Sequence, residues 1–152
     1  MQLEIRTRVK GNPQEVFSGF NQQLFETLSP PFPPVRVRHF GGCRTGDEVD
    51  LELNFLLRKE RWLSVVVEDE LHGEAPYFVD EGRILPSFLS YWRHEHRIEP
   101  DTENPDHSLI VDAITFETPR WLPEALMAPG LWVQFLYRIP VYKRYFSNRA
   151  RS

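Results

Sequence analysis

The chain has 152 residues and a formal net charge of −4, and 41% of its residues are hydrophobic. This length fits one domain covering residues 1–152, with a core large enough to need no disulfide, and the only cysteine is Cys43. The negative charge argues against nucleic acid as a partner. No apolar run approaches the roughly 20 residues of a membrane span, so we expect a cytoplasmic protein without stable membrane insertion. Composition does not indicate an oligomeric state.

The N-terminal part of the chain predicts a strand followed by a helix. Residues 2–9 alternate polar and apolar side chains, the period-2 pattern of a half-buried strand. Asn12-Pro13-Gln14-Glu15 then supplies a helix cap, a proline at the first helical position and a capping-box acid. Apolar residues at helical spacing continue to Leu28, so we predict one helix that ends before Pro30.

A succession of strands is predicted after the proline-rich loop of residues 30–34. The pattern is clearest in residues 49–55, where every odd position is apolar and every even position is polar. Turn-rich segments separate the remaining runs. We predict six strands, at residues 35–39, 49–55, 62–71, 75–80, 87–99 and 107–118, with a charged turn at residues 58–61.

The C-terminal segment predicts a long amphipathic helix. Its apolar residues recur at spacings of three and four: Leu131, Phe135, Ile139, Tyr142 and Phe146. Because internal prolines remove a backbone hydrogen bond, we expect a break near Pro129 and a kink at Pro140. The order of elements predicts an α+β fold in which a curved antiparallel sheet buries its apolar face against this helix.

The stretch WRHEHRIE, residues 92–99, contains two histidines separated by one residue. Side chains alternate across a strand, so a register that exposes Arg93, Glu95 and Arg97 turns His94 and His96 toward the interior. In the next strand both sets of alternate residues are largely apolar. If the even-numbered set faces inward, Asp112 lies on the same face as the histidines and is a candidate partner for them.

Three interpretations of this cluster remain open. The histidines can be hydrogen-bonded core residues, or polar groups that orient a ligand in an otherwise apolar cavity. They can also bind a metal, with Asp112 or Glu99 as a third ligand. Because no other histidine lies in a second metal motif, we expect neither a metal nor another cofactor. Cys43 is not in a context that indicates a nucleophile.

The sequence resembles the SRPBCC superfamily of START-like and Bet v 1-like helix-grip proteins, in particular its bacterial ligand-binding members. The segments that carry the resemblance are residues 12–17, 28–31, 78–81, 92–98, 110–112 and 135–138. The resemblance implies a seven-stranded antiparallel sheet around a long C-terminal helix, with an apolar cavity between them. It also implies binding of lipids, polyketides, quinones, aromatic compounds or similar hydrophobic molecules, with enzymatic activity only in some relatives.

We therefore predict binding of a small hydrophobic or amphipathic ligand between sheet and helix. The predicted ligand-binding residues are Leu51, Leu53, Phe55, Trp92, His94, His96, Asp112, Ile114, Trp132, Phe135 and Ile139. The alternative is a cyclase or dehydratase in which His94, His96 and Asp112 act as acid and base groups; no catalytic set is implied by the resemblance. An interaction module that docks through the C-terminal helix or the proline-rich loop is a third class.

Overall fold

The computed structural model describes all residues from Met1 to Ser152 and contains one seven-stranded antiparallel sheet and three helices. The strands are β1 (Gln2–Lys10), β2 (Val35–Phe40), β3 (Glu48–Asn54), β4 (Lys59–Glu70), β5 (Tyr77–Ile84), β6 (Tyr91–Pro100) and β7 (His107–Glu117). The helices are α1 (Pro13–Ser18), α2 (Gln22–Thr27) and α3 (Glu124–Arg151). The strand order is β1-β7-β6-β5-β4-β3-β2, so the first strand closes the meander by pairing with the last.

The sheet has one buried face and one charged face, and α3 covers the buried one. On β6 and β7 the even-numbered residues point inward, which resolves the ambiguity of the last strand in favour of Asp112 facing the interior. The buried stripe of α3, which includes Leu131, Phe135 and Tyr142, meets this inner face. The predicted α+β architecture of a curved antiparallel sheet with a long C-terminal helix is confirmed.

The segment between β1 and β2 differs from the single helix predicted. It forms two short helices, because Gly19 ends α1 and the Asn21 side chain accepts a hydrogen bond from the Leu24 amide and caps α2. The capping box at Asn12 is present as predicted. Local capping therefore interrupts an apolar periodicity that the sequence carries through both helices, and an elbow at residues 19–21 separates α1 from α2.

Strand boundaries differ from the prediction elsewhere too, including β5, which spans Tyr77–Ile84 instead of residues 75–80. The segment predicted as a charged turn at residues 58–61 instead opens β4, because Lys59 pairs with Asn54 across a tight hairpin. The predicted strand at residues 87–99 begins only at Tyr91, since residues 86–89 form a turn closed by the Leu89 amide and the Pro86 carbonyl.

A bulge alters the parity of β2. The register with β3 shifts between Val37 and His39, so His39 is exposed and Phe40 turns toward Phe25 of α2. The sequence alternates regularly through Val35, Val37 and His39 and therefore gives no sign of this shift. A bulge is a change in backbone pairing, in which one extra residue of a strand is left unpaired.

The C-terminal helix continues through both of its prolines. Pro129 and Pro140 lie inside α3, so the break predicted near Pro129 is wrong. Both prolines are exposed. Their side of the helix faces away from the sheet, where the lost backbone hydrogen bonds can be replaced by water. None of the helices combines the length and apolar composition needed to cross a lipid bilayer.

Two apolar clusters fill the space between sheet and helices. One joins α1 and α2 to the C-terminal half of α3 through Phe20, Leu24 and Phe146. The other joins β1, β4, β6 and β7 to the N-terminal half of α3 through residues such as Trp92 and Phe135. Polar residues of the sheet interior lie between these clusters.

Candidate functional site

A cavity of about 80 Å³ lies between the inner face of the sheet, α2 and α3. Ten of its eighteen lining residues are hydrophobic. The lining residues are Phe25, Leu28, Ser29, Pro30, Val35, Val49, Leu51, Leu53, Trp62, Ser64, Phe78, Asp80, Trp92, His94, His96, Gln134, Phe135 and Arg138. The wall is therefore mostly apolar and aromatic, with one concentrated polar region.

The polar region is a cluster of two histidines and two aspartates on three adjacent strands. In the register of the sheet Asp80 of β5 lies opposite His94, and Asp112 of β7 lies opposite His96. Each histidine bonds the aspartate on the diagonal: His94 Nε2 lies 2.8 Å from Asp112 Oδ1, and His96 Nε2 lies 2.9 Å from Asp80 Oδ2. The cross-strand diagonal is within reach of long side chains, and it links all four groups in one network.

Aromatic rings hold both imidazoles in place. The His96 ring stacks on Phe78 with ring centroids 4.2 Å apart. The centroids of the His94 and His96 rings lie 3.6 Å apart. Phe135 of α3 meets His94 edge to face at 5.3 Å. Both histidines are no more than 3% exposed. The cluster is therefore rigidly packed, although His94, His96 and Asp80 also contribute to the cavity wall.

The charge states of the cluster follow from burial and hydrogen bonding. Burial, together with the neighbouring His96, lowers the pKa of His94 to about 4, so this imidazole is neutral near pH 7. Burial is the largest single influence on Asp112 and opposes its ionisation, but the hydrogen bond from His94 and electrostatic interactions with His94, Arg138 and His96 together outweigh it and hold the pKa of Asp112 below its usual range. In the same way, burial opposes ionisation of Asp80, but hydrogen bonds from His96 and Ser64 and electrostatic interactions with both histidines together lower its pKa. Two carboxylates are thus ionised inside the protein.

Arg138 of α3 brings a positive charge to the edge of the cavity. Its guanidinium lies over the Phe135 ring, with Cζ 4.2 Å from the ring centroid. Its Nε and Nη1 atoms are buried and have no hydrogen-bond partner. Because unpaired buried donors are costly, these groups favour an oxygen acceptor in the adjoining cavity. The buried hydroxyl of Tyr142 also lacks a partner, and burial raises the pKa of this phenol.

The structure distributes the predicted ligand-binding residues over four environments. Those that line the cavity are Leu51, Leu53, Trp92, His94, His96 and Phe135. Asp112 lies behind the histidines and is 1% exposed. Ile114, Phe55 and Ile139 pack within or against the apolar cluster beside the cavity. Trp132 is 38% exposed on the outer side of α3, because it lies about 100° around the helix from the buried stripe position 131.

Several lining residues were not predicted from the sequence. Asp80 is the most important of them, since it bonds His96 and lies 4.0 Å from His94 Nδ1. The alternation of Phe78 and Asp80 was a usable signal, because an acid that shares the parity of an apolar strand residue faces the interior. Arg138 and Trp62 carried no comparable signal. Glu99, considered as a metal ligand, lies on the outer face and pairs with Arg6 and Arg97.

The cavity wall has an apolar part and a polar part, which interact with different parts of a bound molecule. Its apolar wall excludes water from part of a bound molecule, and its polar region offers imidazole nitrogens, carboxylate oxygens and a guanidinium. Such a combination orients a molecule that has one apolar part and one oxygen-bearing part.

No protein-family model matches the sequence, and a comparison with curated proteins finds no relative. The Zhui aromatase/cyclase from a Streptomyces species superposes with a TM-score of 0.73 at 12% identity, covering 100% of this chain and 96% of that chain. A START superfamily protein from Mycobacterium smegmatis gives 0.71 at 9% identity and covers 97% of each chain.

A norcoclaurine synthase point mutant from Thalictrum gives a TM-score of 0.66 at 9% identity, covering 99% of this chain and 96% of that chain. In all three comparisons the alignment runs over nearly the full length of both chains. The sheet order and the long terminal helix agree with this likeness. The chain therefore has the helix-grip fold of START and Bet v 1-like proteins.

Proposed function

We propose that this protein binds a small, largely apolar molecule with an oxygen-bearing end in the cavity between sheet and α3. The observation that carries the proposal is the division of the cavity wall. Ten of the eighteen lining residues are hydrophobic, whereas Asp80, His94 and His96 lie together on the sheet and Arg138 lines the same cavity from α3.

The size of the cavity limits the ligand. Sites for drug-sized molecules usually measure about 300–1,000 Å³. The volume here is about 80 Å³, below the roughly 150 Å³ of a cavity that holds benzene, so we propose that a one-ring molecule enters with a small widening of the cavity. A longer ligand requires displacement of α2 or of the loop after it, which supplies Phe25, Leu28 and Pro30 to the wall.

Arg138 is the residue we propose to recognise the oxygen-bearing end. Its buried Nε and Nη1 donors have no partner, and a carboxylate or phenolate supplies the acceptors they lack. Asp112 takes part indirectly, since it lies behind the histidines and its hydrogen bond fixes the ring of His94. It is therefore proposed as a positioning residue.

Tryptophan fluorescence provides the test, because Trp62 and Trp92 both line the cavity. We expect saturable fluorescence changes on titration with 4-hydroxybenzoate and with toluene as one-ring probes. Arg138→Gln should weaken binding of 4-hydroxybenzoate by about tenfold or more while leaving toluene unchanged. Arg36→Gln, at an exposed position of β2, is the matched control and should change neither titration.

Two results would count against the binding proposal. One is the absence of a saturable signal with either probe, together with native mass spectra that contain only the unliganded mass after purification under mild conditions. The other is equal weakening of both probes by Arg138→Gln, which indicates loss of packing instead of loss of a specific contact.

A second candidate is proton-transfer catalysis of the cyclase or dehydratase type. Two buried histidine–aspartate pairs that border a cavity favour it, and one structural neighbour is an aromatase/cyclase. The measurement is deuterium incorporation from D₂O into a cyclic 1,3-diketone, followed by NMR. Exchange faster than in buffer that is lost in His96→Gln supports catalysis, and exchange at the buffer rate leaves binding as the function.

A further inference from the structure

We propose that Asp80, His94 and His96 bind one divalent first-row transition-metal ion at the wall of the cavity. This inference goes beyond the proposed function, because the ion binds whether or not an organic molecule enters. No metal was expected from the sequence, because no other histidine lies in a second metal motif; Asp112 and Glu99 were the carboxylate ligands considered there, and Asp80 was not among them.

The three ligand atoms already lie near the separations that a metal requires. They are all within 4.8 Å of one another. Asp80 Oδ2 is 2.9 Å from His96 Nε2 and 4.0 Å from His94 Nδ1. Ligand bonds of about 2.0–2.1 Å in a tetrahedral site place ligand atoms about 3.3 Å apart, which lies between these two distances. Small side-chain rotations therefore suffice to form the site.

Asp112 supports both histidines from the side opposite Asp80. Its Oδ1 lies 2.8 Å from His94 Nε2 and 3.6 Å from His96 Nδ1. Metal-bound histidines almost always donate their second ring N–H to a carboxylate, carbonyl or water. With the ion on His94 Nδ1 and His96 Nε2, both remaining N–H groups point at the same Asp112 oxygen.

Binding of an ion also explains an unpaired atom. His96 Nδ1 is buried and has no hydrogen-bond partner, and the residue is 2% exposed. While His96 Nε2 donates to Asp80, a neutral ring has no proton on Nδ1 to offer Asp112. When a cation replaces the proton at Nε2, the proton moves to Nδ1 and the long contact to Asp112 becomes a hydrogen bond.

The charge balance of the interior favours a cation at this point. Asp80 and Asp112 bring two negative groups to the network, whereas Arg138 is the nearby positive one. Two imidazoles and one carboxylate form a donor set suited to zinc and iron. Because all three ligands line the cavity, the remaining coordination position faces the cavity and is open to water or to an oxygen of a bound molecule.

Zinc titration of chelator-treated protein tests the site. We expect calorimetry to give one Zn²⁺ per chain for the wild type. Asp80→Asn and His96→Gln should each lower the affinity by more than about 100-fold, and Asp112→Asn by about 10–100-fold, the range for an outer hydrogen-bond partner. His72→Gln, which removes an exposed histidine from the β4–β5 loop, should leave the affinity unchanged.

A second measurement covers the case in which a variant at the cluster does not fold. X-ray absorption on the zinc-loaded wild type should give light-atom ligands at about 2.0–2.1 Å with the multiple-scattering pattern of two imidazoles. Binding below one ion per chain, a spectrum without imidazole, or an equal effect of His72→Gln would refute the metal site.

The metal-site proposal and the organic-ligand proposal can be tested independently of each other. Probe titrations by tryptophan fluorescence in the presence of EDTA report on the cavity alone. A saturable probe signal in EDTA combined with no zinc binding overturns the metal site and leaves the ligand proposal standing. The reverse pattern, stoichiometric zinc without any probe signal, overturns the proposed ligand instead.

Discussion

Among single residues, the buried polar groups of the sheet interior place the strongest constraint on the structure. His94 and His96 are almost completely buried, and each bonds an aspartate on a neighbouring strand. A buried charge without a partner is strongly destabilising, so such a network persists only when every strand contributes the right residue at the right register. The register of β5, β6 and β7 is therefore tied to these four side chains.

Cys43 is a buried residue outside this network whose ionisation affects stability. Burial, with smaller contributions from the charges of Asp47 and Asp80, raises the pKa of its thiol from 9.0 to about 12. The unfolded chain therefore loses the thiol proton at lower pH than the folded protein. Because the folded pKa is raised, this contribution is fully present below pH 9 and is lost as the pH rises toward 12.

We expect the free energy of unfolding to fall between pH 9 and 12, with Cys43 accounting for up to about 4 kcal/mol of the decrease. Urea titrations at a series of pH values measure it. Cys43→Ala should give a shallower pH dependence, whatever its effect on stability at neutral pH. Parallel curves for the two proteins would show that the thiol ionises equally in both states.

At the scale of elements, the elbow between α1 and α2 determines how these helices meet α3. Gly19 has φ −84° and ψ −6°, a conformation open to any residue, so its importance is not conformational. A Cβ at this position would lie 2.5 Å from Cε1 of Phe146, a buried ring of α3. Glycine allows close approach of the elbow to the helix.

Gly19→Ala should therefore lower the free energy of unfolding by about 1–3 kcal/mol through overpacking. Gly130→Ala is the matched control, because a Cβ there meets nothing within 4 Å and the residue lies inside α3. This control should stabilise the protein by up to about 1 kcal/mol through helix propensity. Denaturant melts of both variants provide the measurement.

The origin of the Gly19 effect can be checked with a double-mutant cycle. Adding Phe146→Leu removes the ring that the new methyl group contacts, so the cost of Gly19→Ala should shrink in that background. If Gly19→Ala lowers the free energy of unfolding equally in both backgrounds, the destabilisation does not come from contact with Phe146.

On the scale of the whole molecule, the sheet and α3 form one interdependent unit. β1 pairs with β7, the last strand of the chain, and α3 packs along β1. The apolar clusters each include residues from both the N-terminal and C-terminal parts of the chain. No segment has a core of its own.

We therefore predict a single cooperative thermal transition for residues 1–152, in keeping with the one domain expected from the chain length. Calorimetry should give equal calorimetric and van't Hoff enthalpies, with a heat-capacity increase of about 2 kcal/mol/K. Two resolved transitions, or a calorimetric enthalpy well above the van't Hoff value, would contradict the prediction.

The sequence was sufficient for the order of the elements and for the inward direction of His94 and His96. Both depend on periodicity, which is local: two for strands and 3.6 for helices. The same periodicity failed at residues 19–21 and in β2. There, an Asn cap and a bulge changed the backbone while the apolar spacing continued.

The partners of the histidines were decided by the tertiary structure. Asp112 was a candidate from its parity, but its distance to His94 depends on strand register, which sequence periodicity leaves open. Asp80 and Arg138 come from a third strand and from α3, at separations along the chain that carry no pattern.

Sequence alone thus determined which side chains face inward, because alternation along each strand and helix is set by local backbone geometry. Only the tertiary structure decided which of them meet, how much space remains between them and which polar atoms lack a partner. Those properties depend on register, on the placement of α3 over the sheet and on the packing of side chains that are distant in the chain.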